Sequence, residues 1–159
     1  MGQDTGVKRD SRVKPGYFAA WLMAALVCAM YAGAARATTL FASMGGEAVL
    51  HTAVDRFAEI VEADDRINFT FAETDISKFK ELLFEQLCEL SGGPCHYSGR
   101  DMRTAHAKLK ITTAEFNALA EDLYLALGKA GVPYRLQNRL MALLAPMQRQ
   151  IVKTPGATP

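Results

Sequence analysis

The stretch DISKFKELLFEQLCEL, residues 75–90, decides how this chain folds. Asp75 is a good N-cap, because its short carboxylate can accept the orphan N–H groups of a first helical turn. SGGP, residues 91–94, ends the run with helix breakers. Between them, Ile76, Phe79, Leu82, Leu83, Phe84, Leu87, Cys88 and Leu90 wrap well over half of a helix circumference. A helix lying on a protein surface needs only a narrower apolar stripe. The stretch therefore predicts a helix buried on two sides. One side serves the domain's own core, and the other faces a bound apolar body or a partner protein.

The flanking sequence is helical too. Residues 46–63 carry Val49, Leu50, Ala53, Val54, Phe57, Ile60 and Val61 at helical spacing. ADDRINFTFAET, residues 63–74, breaks the pattern and has room for a short helical turn near 66–71. GRDMRTAHAKLK, residues 99–110, is a short amphipathic piece between loops. Thr112 followed by Glu115 has the spacing of a capping box and opens a helix with an apolar face of Phe116, Leu119, Leu123 and Leu127. GKAGVP, residues 128–133, ends it, with Pro133 predicted to open the next helix. Leu136, Leu140, Leu143, Leu144, Met147 and Ile151 form the last stripe, and Pro146 inside it predicts a kink. No segment alternates with a period of two, and none repeats. The fold class is all-α.

The first 37 residues read differently. MGQDTGVKRDSRVKPG is polar and basic, YFAAWLMAALVCAMYAGAA is apolar and uncharged, and ARA ends at Ala37. That order predicts a secretory signal peptide over 1–37, cut after Ala37, and a domain over 38–159 exported to the periplasm. The alternative is an uncleaved membrane anchor, since Tyr17 to Ala35 is long enough to span a bilayer. Cleavage takes five basic and two acidic residues from a chain of net charge +1 and leaves the domain at about −2. With no basic block, nothing points to nucleic acid. Of three cysteines, Cys28 leaves with the signal, and Cys88 and Cys95 stay. Their spacing is neither the C-x-x-C of a thioredoxin-like site nor the C-x-x-C-H of covalent haem attachment. In an oxidising compartment they predict a structural disulfide, the alternative being two buried thiols.

His51, His96 and His106 are the only histidines. A lone histidine is most often a satisfied structural residue, and composition alone does not single out His106. The ordered set of motifs does. An early GGE at 45–47, GGP-x-x-Y-x-GRDM at 92–102, a histidine four residues after that methionine, and GVP at 131–133 resemble the group 1 truncated haemoglobins, over essentially all of residues 40–152. The resemblance implies a truncated globin, a two-over-two helical sandwich around haem. It implies non-covalent haem b, with His106 as the iron ligand, and a diatomic gas as the second partner. Neutral imidazole suits that role, provided its other ring nitrogen has a partner to hold it; a backbone carbonyl is the simplest choice. His51 and His96 are expected to face solvent.

The same resemblance assigns the second face of helix 75–90 to the distal side of the haem, with Phe79, Leu82 and Leu83 on it. Phe71 corresponds to a phenylalanine packed against the porphyrin. Met102, Ile111 and Phe116, with Leu109 and Leu144, are candidate lining. Lys78 and Lys80 are candidates to pair with a propionate. The sequence also departs from the pattern. Many group 1 members carry a tyrosine after the phenylalanine of the first long helix, and a glutamine on the distal helix, which hydrogen-bond bound dioxygen. Here the corresponding positions are Ala58, Leu82 and Leu83, with Phe79 one turn earlier, and none can donate. Gln86, one turn past Leu82, is a donor that would have to swing in. The pocket is therefore expected to be apolar. That fits oxygen binding or transport, gas scavenging or sensing better than tight oxygen retention, and puts fast nitric oxide dioxygenation in doubt. Peroxidase-like or electron-transfer chemistry is compatible with haem, though the sequence names no electron donor. The competing reading is a globin-like module whose apolar groove holds a partner or a ligand other than haem.

Overall fold

A computed structural model describes residues 38–152. The predicted signal segment lies outside the described residues. Seven α-helices and two 3-10 turns make up the described part, with no strand among them. They are α1 (Leu40–Met44), α2 (Gly46–Ala63), a 3-10 turn (Asn68–Phe71), α3 (Ile76–Leu90), α4 (Met102–His106), α5 (Thr113–Lys129), α6 (Tyr134–Leu144), a 3-10 turn (Ala145–Met147) and α7 (Gln148–Ile151).

The helix ends follow the local chemistry. Asp75 accepts from the Lys78 N–H at 3.0 Å and starts α3. The Thr112 hydroxyl accepts from the Glu115 N–H at 3.2 Å, and the Glu115 carboxylate accepts from the Thr112 N–H at 2.7 Å, a complete capping box. Pro133 stands one position earlier than expected, at the N-cap of α6, where its extended backbone leads into the helix. The predicted kink at Pro146 is the 3-10 turn that separates α6 from α7. The sequence reading missed α1. Five residues are too few to show a period, and the Gly45–Gly46 turn that ends α1 is what defines it. Gly45 has φ 110°, and a Cβ there would fall 2.5 Å from Val49 Cγ2.

Helix α2 is the centre of the domain. It packs most extensively on α5, then on α3, while α6 closes on α5 and α1. Leu50, Ala53, Val54, Phe57 and Val61 of α2 meet Leu87 and Cys88 of α3, Leu123, Ala126 and Leu127 of α5, and Leu140 of α6 in one buried core. Helix α3 gives one side to the core, as predicted. Only Leu87 and Cys88 are fully enclosed, and Ile76, Phe79, Leu82, Leu83 and Phe84 are half-buried. Its second apolar face is not fully covered by any of the described segments, as expected of a helix whose other side takes an apolar body or a partner.

Cys88 and Cys95 are bonded, with Cα atoms 5.8 Å apart, so the alternative of two free thiols does not hold. The bond closes only a short loop and restrains little of the unfolded chain. Reducing it is expected to cost about 2 kcal/mol of stability. Mass spectrometry of non-reduced peptides, paired with denaturant unfolding before and after reduction, checks both points. Two freely alkylated thiols in exported protein would contradict the bond.

Candidate functional site

Helix α4 is a single turn and a half, and each of its ends is tied. Asp101 caps it, accepting from the Thr104 N–H at 3.0 Å, and this contact with Thr104 holds the Asp101 carboxyl below its ordinary range. At the other end, His106 Nδ1 stands 2.8 Å from the carbonyl oxygen of Met102, one turn back. A carbonyl can only accept, so Nδ1 carries the proton. Nε2 then keeps its lone pair, the form of imidazole that binds a metal. The backbone carbonyl foreseen as an orienting partner is thus that of Met102.

The loop leading to α4 is fastened along the last turns of α3. Glu85 accepts from the Ser98 N–H at 2.9 Å and from its hydroxyl at 2.7 Å, which keeps the Glu85 carboxyl below its ordinary range. Glu89 accepts from the Tyr97 N–H at 3.1 Å and lies 3.0 Å from His96 Nδ1. Tyr97 in turn donates to the Arg100 carbonyl at 2.9 Å. Gly93 lies so close to Cys88 that a Cβ would fall 2.5 Å from its sulfur.

Facing the half-open side of α3, Phe71 meets Phe79 edge-on, with ring centroids 5.2 Å apart, and Phe57 lies 6.1 Å from Phe79. Ala58 is buried, and Leu82 and Leu83 are half-buried on α3. Met102 is half-buried on α4. The Gln86 amide points at two thioethers, Met102 Sδ at 3.3 Å and Met147 Sδ at 3.8 Å. The structure thus joins Phe71 with Phe79, and His106 with Met102, Gln86 and Met147. Ile111 is buried and Phe116 half-buried. Leu109 is 45% exposed. Both candidate lysines already have carboxylate partners, Lys78 with Glu81 at 2.8 Å and Lys80 with Asp55. The other histidines face solvent as expected. His96 is 89% exposed, and His51, itself exposed, stacks on Phe84 with centroids 3.8 Å apart.

Sequence reasoning missed the two carboxylate clamps and the Met147 contact. The clamps had a readable sign. Glu85 and Glu89 sit in the last turns of α3, where the helix dipole disfavours negative charge. Acidic residues there call for a compensating donor, which the N–H groups of the following loop supply.

Behind the site, at the junction of α2 and α5, Asp122 is buried, and its Oδ2 has no hydrogen-bond partner. Burial, then the nearby Asp64 charge, push its pKa up to about 6, against the pull of Arg66, whose Nη2 is 3.8 Å away. A carboxyl with a raised folded pKa favours the protonated state. The native protein therefore gains stability as pH falls through 6 toward the unfolded value near 4. Between pH 7.5 and pH 5 that gain amounts to about 1–1.5 kcal/mol. Asp122→Asn should flatten this slope in urea unfolding measured at the two pH values. A slope unchanged by the substitution would assign it elsewhere.

The fold and sequence have relatives among known proteins. The profile of the family described as bacterial-like globin matches residues 39–153. Group 1 truncated haemoglobin GlbN of Synechocystis sp. is 37% identical over 110 residues, covering 67% of this chain and 89% of that protein. The group 1 truncated haemoglobin of Tetrahymena thermophila is 36% identical over 94 residues, covering 59% and 78%. Among solved structures, the Fe(III) form of the Tetrahymena pyriformis truncated haemoglobin superposes with a TM-score of 0.70 at 28% identity, over 73% of this chain and 99% of that one. The two-over-two haemoglobin of Synechococcus sp. PCC 7002, solved in the cyanomet state with covalently attached haem, superposes with a TM-score of 0.68 at 30% identity, over 72% and 98%. By sequence and by fold, this chain belongs to the bacterial-like globins, within the group 1 truncated haemoglobins, and is a haem-binding globin.

Proposed function

We propose that this globin reversibly binds a diatomic gas on a non-covalent haem b whose iron is held by His106, in a pocket without a hydrogen-bond donor. The observation that carries the reading is the His106 contact to the Met102 carbonyl, which fixes the ring and leaves Nε2 as the free donor. When bound, haem supplies an iron with a position open to a gas. The chain's own contribution is to hold and enclose it. Phe71, Phe79, Leu82 and Leu83 supply apolar wall on one side, with Met102, Ile111 and Phe116 as further lining, and none of these side chains can donate a hydrogen bond. The Gln86 amide, one turn past Leu82, is turned to Met102 and Met147.

The cysteines support non-covalent attachment, since the chain has no C-x-x-C-H for thioether bonds and both cysteines of the domain are bonded to each other. An apolar pocket favours oxygen carriage, gas scavenging or sensing over tight oxygen storage. The basic, then apolar, then A-x-A order of residues 1–37 supports export to the periplasm with removal of that segment, and a size shift between precursor and mature protein on a blot tests it. No helix among the described residues is long and apolar enough to cross a membrane.

An absorption spectrum of the purified protein tests the whole reading. A Soret band that shifts on carbon monoxide addition to the ferrous form is expected, and haem extracted by acid butanone should leave the polypeptide colourless. A protein that stays colourless after incubation with haemin would favour the apolar groove as a site for something else.

A further inference from the structure

Helix α4, which carries His106, has little of the core to rest on. It is five residues long, none of them fully buried, and its main packing partner is the four-residue α7. What fixes its other end is the loop of residues 91–101, and that loop is fastened to α3 at three successive points. These are the Cys88–Cys95 bond, the Glu89 contact to the Tyr97 N–H and the Glu85 contact to Ser98. A fourth tie, from Gln86 to Met102, reaches α4 itself. The disulfide is the only covalent member. As a constraint on the unfolded chain it is weak because its loop is short. As a constraint on the native loop it is strong, because it anchors Cys95 to the fully buried Cys88.

We propose that the Cys88–Cys95 disulfide, with Glu85 and Glu89, is a redox-addressable tether that sets the position of His106. The proposal rests on the reading of His106 as the axial ligand. A dithiol, such as the active site of a thiol–disulfide oxidoreductase, opens the tether. Its thiolate attacks Sγ of half-exposed Cys95, and Cys88 Sγ leaves and takes up a proton. The second thiol of the reductant then displaces Cys95 and closes the reductant's own disulfide. Two electrons and two protons pass from the dithiol to the cysteine pair. Freed at Cys95, the loop keeps only non-covalent ties to α3, namely the Glu85 and Glu89 contacts and the Gly93 N–H bond to the Cys88 carbonyl, and the imidazole gains freedom relative to α3. Glu85 and Glu89 act here as positioning residues, through the loop rather than on the iron.

The test compares haem-loaded wild type with the Cys88→Ala/Cys95→Ala double variant, with dithiothreitol-reduced wild type, and with Thr112→Ala, which weakens α5 but leaves the tether intact. Two readouts are taken: the transfer rate of ferric haem to an apomyoglobin acceptor, and the iron–histidine stretching band of protein reduced photochemically so that the disulfide survives. The double variant and the reduced protein should both lose haem faster, on the order of tenfold, the size usual for disturbing an orienting contact. Both should also show a shifted or broadened band, and Thr112→Ala should show neither change. Glu85→Ala should move the band in the same direction, and Glu85→Gln, which keeps an acceptor, should restore it. If the disulfide-free forms melt earlier but keep the wild-type band and transfer rate, the bond is only a staple and the proposal falls. If the band survives in His106→Ala, the ligand reading itself fails, whatever the cysteines do.

Discussion

His106→Ala, purified without added imidazole, should show no Soret band, and His106→Gly should recover one when imidazole is supplied. Neither of the other two histidines can replace the donor that the substitution removes. His96 is 89% exposed and is engaged with Glu89. His51 is stacked on Phe84 outside the core. Without an imidazole, haem would be held by apolar contact alone. Losing an orienting contact behind a metal ligand already costs roughly 10–100-fold in affinity, and losing the ligand itself should cost more. Rescue by free imidazole separates loss of the donor from loss of the fold, because the glycine variant keeps a cavity of the right shape. Circular dichroism of both variants should stay strongly helical, since His106 is half-buried and lies outside the core cluster. Full haem retention in His106→Ala with an unchanged ferrous spectrum would mean that another residue binds the iron.

Much of this arrangement could be read from the chain before its fold was known, and the reasons are local. Asp75, Thr112 with Glu115, and Pro146 act within one helical turn, so their effects on helix ends could be predicted. The apolar stripe of α2 reached the core as its period required, from Leu50 to Val61. What could not be read depends on contacts between distant segments. That Gln86 would meet Met147 rather than water depends on how α3, α4 and the turn before α7 come together, which no periodicity encodes. The over-wide apolar face of α3 was legible as a surface for an apolar body or a partner, but not which of the two. A sequence can show that a face is too apolar for solvent without showing that the chain leaves it half open. The ligand role of His106 came from a resemblance; the structure adds the atom that orients the ring.

Ala58→Tyr should slow oxygen release by one to two orders of magnitude while changing carbon monoxide release far less. Ala58 is buried on α2, beside Phe57, whose ring lies 6.1 Å from Phe79. A phenol placed there supplies the hydroxyl donor that the wall lacks. Bound dioxygen carries partial negative charge on its outer atom, so a hydrogen bond to it is charge-assisted and worth about 1.5–3 kcal/mol. At tenfold per 1.4 kcal/mol, that is roughly tenfold to a hundredfold, and within one pocket such gains fall mainly on the release rate. Carbon monoxide develops less charge and gains little. The cost is steric, because a buried methyl gives way to a ring, and overpacking of this kind costs about 1–3 kcal/mol of stability. Ala58→Phe is the control, since it carries the same bulk without the hydroxyl and should share the stability loss without the slow release. Stopped-flow displacement of oxygen on the three proteins decides the matter. If wild type already releases oxygen as slowly as the tyrosine variant, a donor is present in the native pocket. Gln86, swung away from Met102 and Met147, would then be the first residue to replace.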